Sequence, residues 1–215
     1  MDGILLSKPD PAAPMLRFTS SFSSLASALL LVAPLVLPLQ SSSLAGEVQA
    51  WKGRADITFS GTSTLHDWSG RVAAQPFITR VTTDSGGRPA RVQSSVKIEA
   101  AGMDTDEPRR DENMHKAMKA AEHPLITAEI DVPAGRIASD LKTPTQLPMT
   151  LTLLGRPLQV TAVVSSFKQQ DGGITFDLDF PLSMKAGGIS VPSVLYFIRV
   201  GDVVKIHASV TLTQN

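Results

Sequence analysis

Hydrophobic and polar residues alternate with a period of two along most of the chain after residue 90. Apolar side chains occupy one parity of each segment and polar side chains the other, which indicates β-strands with one buried face. Six segments show the alternation clearly: 92–100, 126–132, 147–153, 158–164, 174–182 and 204–212. A short strand is also predicted at Ile57 and Phe59, and a less regular one from Val72 to Ile78. About eight half-buried strands predict an all-β domain, either a closed antiparallel barrel or a two-layer sandwich.

A single α-helix is predicted between Pro108 and His123. The stretch from Arg109 to Ala121 is rich in helix-forming residues, with acidic residues early and lysines later, and Pro124 would end it. Its apolar stripe consists of Met114, Ala117, Met118 and Ala121. The predicted domain therefore has about eight strands with one helix inserted midway.

The amino-terminal segment has the features of a secretory signal rather than of a folded domain. An apolar run covers residues 22–39, Lys8 and Arg17 precede it, and small residues follow at Ser43 and Ala45. A positive segment, an apolar segment and small residues in this order are typical of a signal peptide.

Cleavage after Ala45 would divide the chain into a signal peptide, 1–45, and one mature domain, 46–215. The alternative is a membrane anchor, but the apolar run is shorter than the ~20 residues that span a bilayer, and it contains two prolines. Translation could start at Met1 or at Met15, and the second start would give a signal of more usual length. We expect a periplasmic or secreted protein whose mature chain has no transmembrane segment.

Charge and composition narrow the classes of function. Lys and Arg total 20 against 20 Asp and Glu, and this balance argues against a nucleic-acid partner, which requires surplus positive charge. The absence of cysteine excludes disulfides, thiolate metal sites and cysteine nucleophiles. Aromatic residues make up 5% of the chain, too few to suggest stacking on single-stranded bases.

Four stretches of the chain, 58–70, 110–126, 147–160 and 184–206, resemble the YceI-like family of exported, lipocalin-like lipid-binding proteins. Thr58–Gly70 is similar to the opening hairpin of a branch with a His-Asp-Trp signature, and Arg110–Ile126 to the family's charged helix and following strand. Leu147–Val160 resembles its Leu-Thr-x-x-Gly hairpin, and Met184–Ile206 its final segment. The resemblance implies a lipocalin-like antiparallel β-barrel around an apolar tunnel that holds an isoprenoid-type lipid chain. The Leu65–Trp68 turn and a shorter helix depart from the better-known lipid-binding members.

The predicted wall of this tunnel follows from the inward parity of the strands. The residues assigned to it are Phe59, Ile98, Ile130, Leu151, Leu153, Phe176, Leu178, Phe180 and Ile206. Small residues on the same parity would leave room for a chain, namely Ser94, Ala100, Ala128, Ala162 and Ala208. A filled core uses the same residue types, so the sequence leaves both interpretations open.

His66 and Asp67 are the first candidates for chemistry, because they are adjacent. Neighbours in an extended segment point to opposite faces, and an Asp in a turn usually bonds its own backbone, so a structural role is favoured. Trp68 is expected to plug the end of the core, with its indole N–H bonded locally.

The remaining histidines give no pattern for a metal or a catalytic group. His115 and His123 are eight residues apart, whereas a helical metal site uses ligands at i and i+4, so we expect a solvated helix face. His207 lies on the outward parity and is expected to be exposed. No metal site, cofactor or catalytic residue is predicted.

Three hypotheses remain. The first is an exported, non-enzymatic protein that holds a long isoprenoid or fatty-acyl chain inside the barrel. The second is an envelope scaffold with a filled core, whose helix and Trp68 turn contact a partner. The third is an enzyme that uses His66 or Asp67. A homodimer is compatible with each of them.

Overall fold

The computed structural model describes residues 46–137, 144–170, 172–190 and 199–214. Nine strands lie in these ranges: β1 (Val48–Gly61), β2 (Trp68–Ala73), β3 (Phe77–Thr83), β4 (Pro89–Glu99), β5 (Leu125–Pro133), β6 (Thr145–Leu153), β7 (Arg156–Gln170), β8 (Gly173–Ser183) and β9 (Val203–Gln214). Helix α1 (Pro108–Ala117) lies between β4 and β5, and two 3₁₀ turns cover Ala100–Gly102 and Ala134–Arg136.

The strands form one closed antiparallel barrel. Consecutive strands from β3 to β9 are hydrogen-bonded neighbours, and β1 closes the ring by pairing with β9 on one edge and with β2 and β3 on the other. Since β2 and β3 follow one another along the same edge of β1, the wall has eight positions. The barrel alternative is confirmed, and the sandwich alternative is wrong.

The prediction of one strand from Val72 to Ile78 is wrong, because this segment is divided between β2 and β3, and the break between them explains its irregular pattern. Pro76 carries no backbone N–H for a sheet hydrogen bond, and the inward parity changes across it. Val72 faces the interior before the break, whereas Phe77 does so after it and Ile78 is 42% exposed. The backbone N–H of Gln75 bonds the carbonyl of Lys97 across the break at 2.8 Å, so the wall stays continuous.

Strand β1 is much longer than the short strand predicted at Ile57 and Phe59. Trp51, Gly53 and Ala55 continue its inward face, but the small side chains of the last two weaken the hydropathy signal. The length of β1 allows it to pair with three other strands and to close the barrel.

The predicted inward parity of the six clear segments is confirmed by their burial. In each segment the apolar parity is buried or half-buried, and the alternate positions are mostly exposed or half-exposed. The hairpin that the family resemblance implies over Leu147–Val160 is also present, as β6 and β7. Leu154 and Gly155 form its turn with φ of 49° and 71°, the positive values required of a two-residue type I′ hairpin turn.

Helix α1 ends four residues before the predicted end at Ala121. Met118 is its C-cap, and Lys119 has a φ of 47°, which turns the chain out of the helix. Ala121 is therefore exposed, while Met118 is buried and Met114 and Ala117 are half-buried. No helix in the described ranges has the length and apolar content needed to cross a membrane.

Candidate functional site

The barrel encloses a large cavity. Its volume is about 740 Å³, and its walls are the inward-facing side chains of the strands. All nine residues assigned to the tunnel wall from the sequence line it, namely Phe59, Ile98, Ile130, Leu151, Leu153, Phe176, Leu178, Phe180 and Ile206. Their role in binding a ligand stays a prediction.

Three of the five small inward residues contribute to this space. Ser94, Ala128 and Ala208 line the cavity. Ala100 and Ala162 have no exposed surface and do not line it, so their predicted contribution is wrong. Ala100 lies in a 3₁₀ turn after β4, where its N–H bonds the carbonyl of Pro124 at 2.9 Å.

A small polar row interrupts the apolar wall on three adjacent strands. Trp51, Thr79 and Ser94 are direct cross-strand neighbours and all line the cavity. The Thr79 hydroxyl donates to Ser94 Oγ at 3.1 Å, so these two buried groups satisfy one another. Apart from this row and the polar side chains at its two ends, the cavity is lined by apolar side chains.

One end of the cavity is covered by α1 and by the turn at residues 62–67, and we call it the helix end. Met114, Ala117 and Met118 from α1, with Leu65 and His66 from the turn, line it. The apolar stripe of α1 was predicted, but its contact with a cavity was not. The sequence feature that could have indicated this contact is the pair of methionines on the stripe, because flexible Met side chains are common on surfaces that bind varied partners.

Two aromatic rings fill the wall near the helix end. Trp68 lies against Gly61, where a Cβ atom would come within 2.4 Å of its ring, and Phe59 lies against Gly70 at the same distance. The two rings pack edge to face with centroids 6.3 Å apart. Glycine is therefore needed at these positions to admit the rings. The prediction of a local partner for the Trp68 indole N–H is wrong, because Nε1 is buried and has no partner among the described residues.

An ion cluster fixes the segment that precedes α1. Arg71 on β2 donates to Asp106 Oδ2 at 2.8 Å and to Asp104 Oδ2 at 2.9 Å, and its backbone also pairs with that of Asp104. The hydrogen bond from Arg71 lowers the pKa of the Asp106 carboxyl. These contacts hold the start of the helical segment against the edge of β2.

The acids within α1 are engaged with partners on the helical segment. Asp111 Oδ1 accepts hydrogen bonds from the backbone N–H and the hydroxyl of Thr105, at 2.9 and 2.6 Å. Glu112 pairs with Lys116 Nζ at 2.6 Å, and this hydrogen bond lowers the pKa of the Glu112 carboxyl. His115 Nε2 lies 2.9 Å from the carbonyl oxygen of Met103, so the expected solvated position of this ring is wrong.

The His66-Asp67 motif lies in an exposed turn. Ser63 Oγ donates to the carbonyl of His66 at 2.7 Å and accepts from its N–H at 3.3 Å, so a serine, and not Asp67, closes the turn. The two side chains have no hydrogen bond to one another.

The last histidine belongs to a polar row on the outer face of the barrel. His207 Nδ1 lies 2.8 Å from Asp179 Oδ1, and Ser209 Oγ lies 3.4 Å from His207 Nε2. His207 was expected to be simply exposed, but 44% of its side chain is accessible and the rest is packed in this row. Ser209 directs its hydroxyl to Asp177 at 3.0 Å, so its proton is already donated to a carboxylate. In the described ranges no three acidic or histidine side chains are grouped as metal ligands.

The fold and the cavity together define a lipocalin-like barrel with an apolar interior. A model of the YceI-like domain family matches residues 42–212, and the chain belongs to this family. No curated protein sequence is significantly similar to the chain.

Two solved structures share the fold. Burkholderia cenocepacia BcnA has a TM-score of 0.57 and 18% identity, over 73% of this chain and 95% of that one. A polyisoprenoid binding domain from Saccharophagus degradans, implicated in plant cell wall breakdown, has a TM-score of 0.52 and 10% identity, over 79% of this chain and 100% of that one. At these identities the likeness establishes the fold.

Proposed function

We propose that this protein is an exported, non-enzymatic carrier that holds one long apolar lipid chain, of isoprenoid or fatty-acyl type, in the barrel cavity. The observation that carries this proposal is the cavity of about 740 Å³ with apolar walls. Protein interiors are normally close-packed, with few voids larger than a water molecule. The envelope-scaffold alternative requires a filled core, which this volume disfavours.

The cavity has the capacity for a lipid. An engineered apolar cavity of about 150 Å³ takes up one benzene molecule. At that ratio, a cavity of 740 Å³ holds roughly 30 carbon atoms. This corresponds to about six isoprene units, or to one long acyl chain with space remaining.

The energetics favour burial of such a chain. Each buried methylene contributes about 0.8 kcal/mol, so 20 carbons contribute about 16 kcal/mol before costs. Association and ordering cost an estimated 4–15 kcal/mol, which leaves a net gain. The Saccharophagus degradans domain of the same fold is described as polyisoprenoid binding, and this supports an isoprenoid as the first ligand to test.

Export and the absence of catalysis complete the proposal. Export is supported by the signal-like segment 1–45, which lies outside the described residues. The non-enzymatic role is supported by the exposed turn that carries His66 and Asp67, because among the described residues their side chains make no hydrogen bond to one another, so no carboxylate orients the imidazole. A periplasmic or secreted location follows from the proposed export.

The proposal is tested with a charged substitution in the wall. Leu178 is 7% exposed and lines the cavity, so Leu178→Lys would place an unpaired ammonium in apolar surroundings. We expect delipidated wild-type protein to bind a C20 or C30 prenol saturably and the variant to lose that binding. Titration calorimetry or displacement of a fluorescent lipid measures it.

A matched control is available on the outer face of the barrel. Val163 on β7 is 41% exposed, so Val163→Lys adds the same charge and should leave binding unchanged. Circular dichroism establishes that both variants are folded. Absence of saturable binding by the wild type, or equal binding by a folded Leu178→Lys variant, contradicts the carrier function.

A further inference from the structure

The two ends of the cavity differ in charge. Among the cavity-lining residues of the described ranges, the charged side chains are Glu107, Arg109 and Arg110, which come from the first turn of α1 and the residue before it. At the other end of the cavity, near the start of β1 and the end of β7, the polar lining residues are the neutral Gln49 and Gln169. A tunnel that is apolar along its length and carries cations at one end matches an amphiphilic ligand, which has an apolar chain and one polar head.

The two arginines are not neutralised by the carboxylates nearest to them along the helix. Neither Arg109 nor Arg110 has an ion pair or a side-chain hydrogen bond in the described part of the chain. Asp111 is bonded to Thr105 and Glu112 to Lys116, as described above. The carboxylate of Glu107 makes no ion pair with either arginine, so the three charges that line this end sum to +1.

Arg110 occupies the inward face of α1 rather than its outer face. It precedes Met114 by four residues and Ala117 by seven, and this spacing puts all three on one side of a helix. Arg110 is half-buried and lines the cavity with them. A guanidinium in this position can pack its stem against apolar surface while its donors remain at the opening. Asn113, which also lines the cavity, adds amide donors beside it.

We propose that the helix end binds an anionic headgroup, a phosphate or a carboxylate, and that the carried lipid lies with its tail toward Gln49 and Gln169. This inference rests on the proposed function, because it assumes that a chain occupies the cavity. The guanidinium group suits either anion, since its donors match both phosphate and carboxylate oxygens. The ligand class is therefore a single-chain anionic amphiphile.

The test compares ligands with the same chain and different headgroups. The delipidated mature protein, residues 46–215, is titrated with geranylgeranyl monophosphate and with geranylgeraniol. A second pair of titrations uses hexadecanoate and hexadecanol, and all four ligands are kept below their aggregation concentrations. We expect the anionic member of at least one pair to bind about 10-fold more tightly than its alcohol, because charge-assisted hydrogen bonds are roughly twice as strong as neutral ones. The pair that shows the larger preference distinguishes phosphate from carboxylate.

The double variant Arg109→Gln and Arg110→Gln should reduce this preference to within about 2-fold while the affinity for the alcohol stays unchanged. Arg54→Gln is the matched control, because Arg54 is an exposed arginine that does not line the cavity. Equal affinities for anion and alcohol in the wild type overturn the inference, and so does an equal loss in the control. If no ligand of either pair binds, the proposed carrier function fails as well, so the two failures are distinguishable.

Discussion

The substitution Ala208→Phe tests whether the interior of the barrel is an open cavity that a ligand can occupy or a packed core. Ala208 lies on β9 between Ile57 and Leu178, its direct neighbours on the adjacent strands, and all three line the cavity. A phenyl ring at this position would extend into the cavity. In a packed core the same change forces neighbouring side chains out of their rotamers and costs about 1–3 kcal/mol.

The size of the effect follows from the cavity volume. A benzene-sized ring requires about 150 Å³, which is roughly a fifth of the 740 Å³ present. The variant would therefore accommodate about six fewer carbon atoms, roughly 24 instead of 30. At about 0.8 kcal/mol per methylene, a ligand that fills the wild-type cavity loses up to about 5 kcal/mol of binding energy.

The assay is a series of prenols of increasing length. We expect Ala208→Phe to bind a C20 prenol within about 3-fold of wild type and a C30 prenol far more weakly, with no loss of stability in the ligand-free protein. Ala50→Phe is the control, because Ala50 is exposed on the outer face of β1. A destabilised Ala208→Phe variant, with the same length dependence as wild type, would refute the account of the cavity.

Three further predictions concern maturation, the turn histidine and acid stability. Amino-terminal sequencing of the exported protein should give a start at Gly46 or within two residues of it, and a product that retains the apolar run in the membrane contradicts this. His66→Gln should leave ligand content within a small factor of wild type, whereas loss of a measurable turnover in a folded variant would restore the enzyme hypothesis. Hydrogen bonds from the Ser183 hydroxyl and the Lys185 N–H lower the pKa of the Asp202 carboxyl below its value in the unfolded chain. The free energy that these bonds contribute to folding is therefore fully present above the unfolded-state pKa of about 4, and it is lost as the pH falls through the lower pKa of the folded state. Thermal melts from pH 6 to 3 should show a smaller acid-induced loss for Asp202→Asn than for wild type or the exposed-site control Asp56→Asn, and equal losses in all three contradict the assignment.

The fold could be predicted from the sequence wherever one face of a strand is strongly apolar. The alternation from Ile174 to Leu182 marks β8 correctly because every inward residue is large and apolar. The start of β1 was missed because Gly53 and Ala55, small side chains of weak hydropathy, occupy its inward positions. Closure of the barrel also depends on pairing between the first and last strands, and no local pattern reveals which edges meet.

The cavity itself could be predicted only in part. Parity identifies the residues that face inward, but a filled and an open interior use the same side chains. The helix end was missed for a different reason. Met114 and Met118 form a stripe that could cover any apolar surface, and the sequence does not say which surface α1 contacts. The charges at this end can be interpreted as part of a binding site only because the structure places them at the cavity.

The central claim is that the cavity carries a lipid, and it is tested most directly by analysis of the protein as purified. Native and denaturing mass spectrometry would be combined with thermal melts before and after organic extraction. The account predicts release of an apolar chain, a lower melting temperature after extraction, and its recovery when a long-chain isoprenoid is added, because a ligand specific for the folded state stabilises it. Extraction that releases no lipid, leaves the melting temperature unchanged and is followed by no effect of added isoprenoid would contradict the claim.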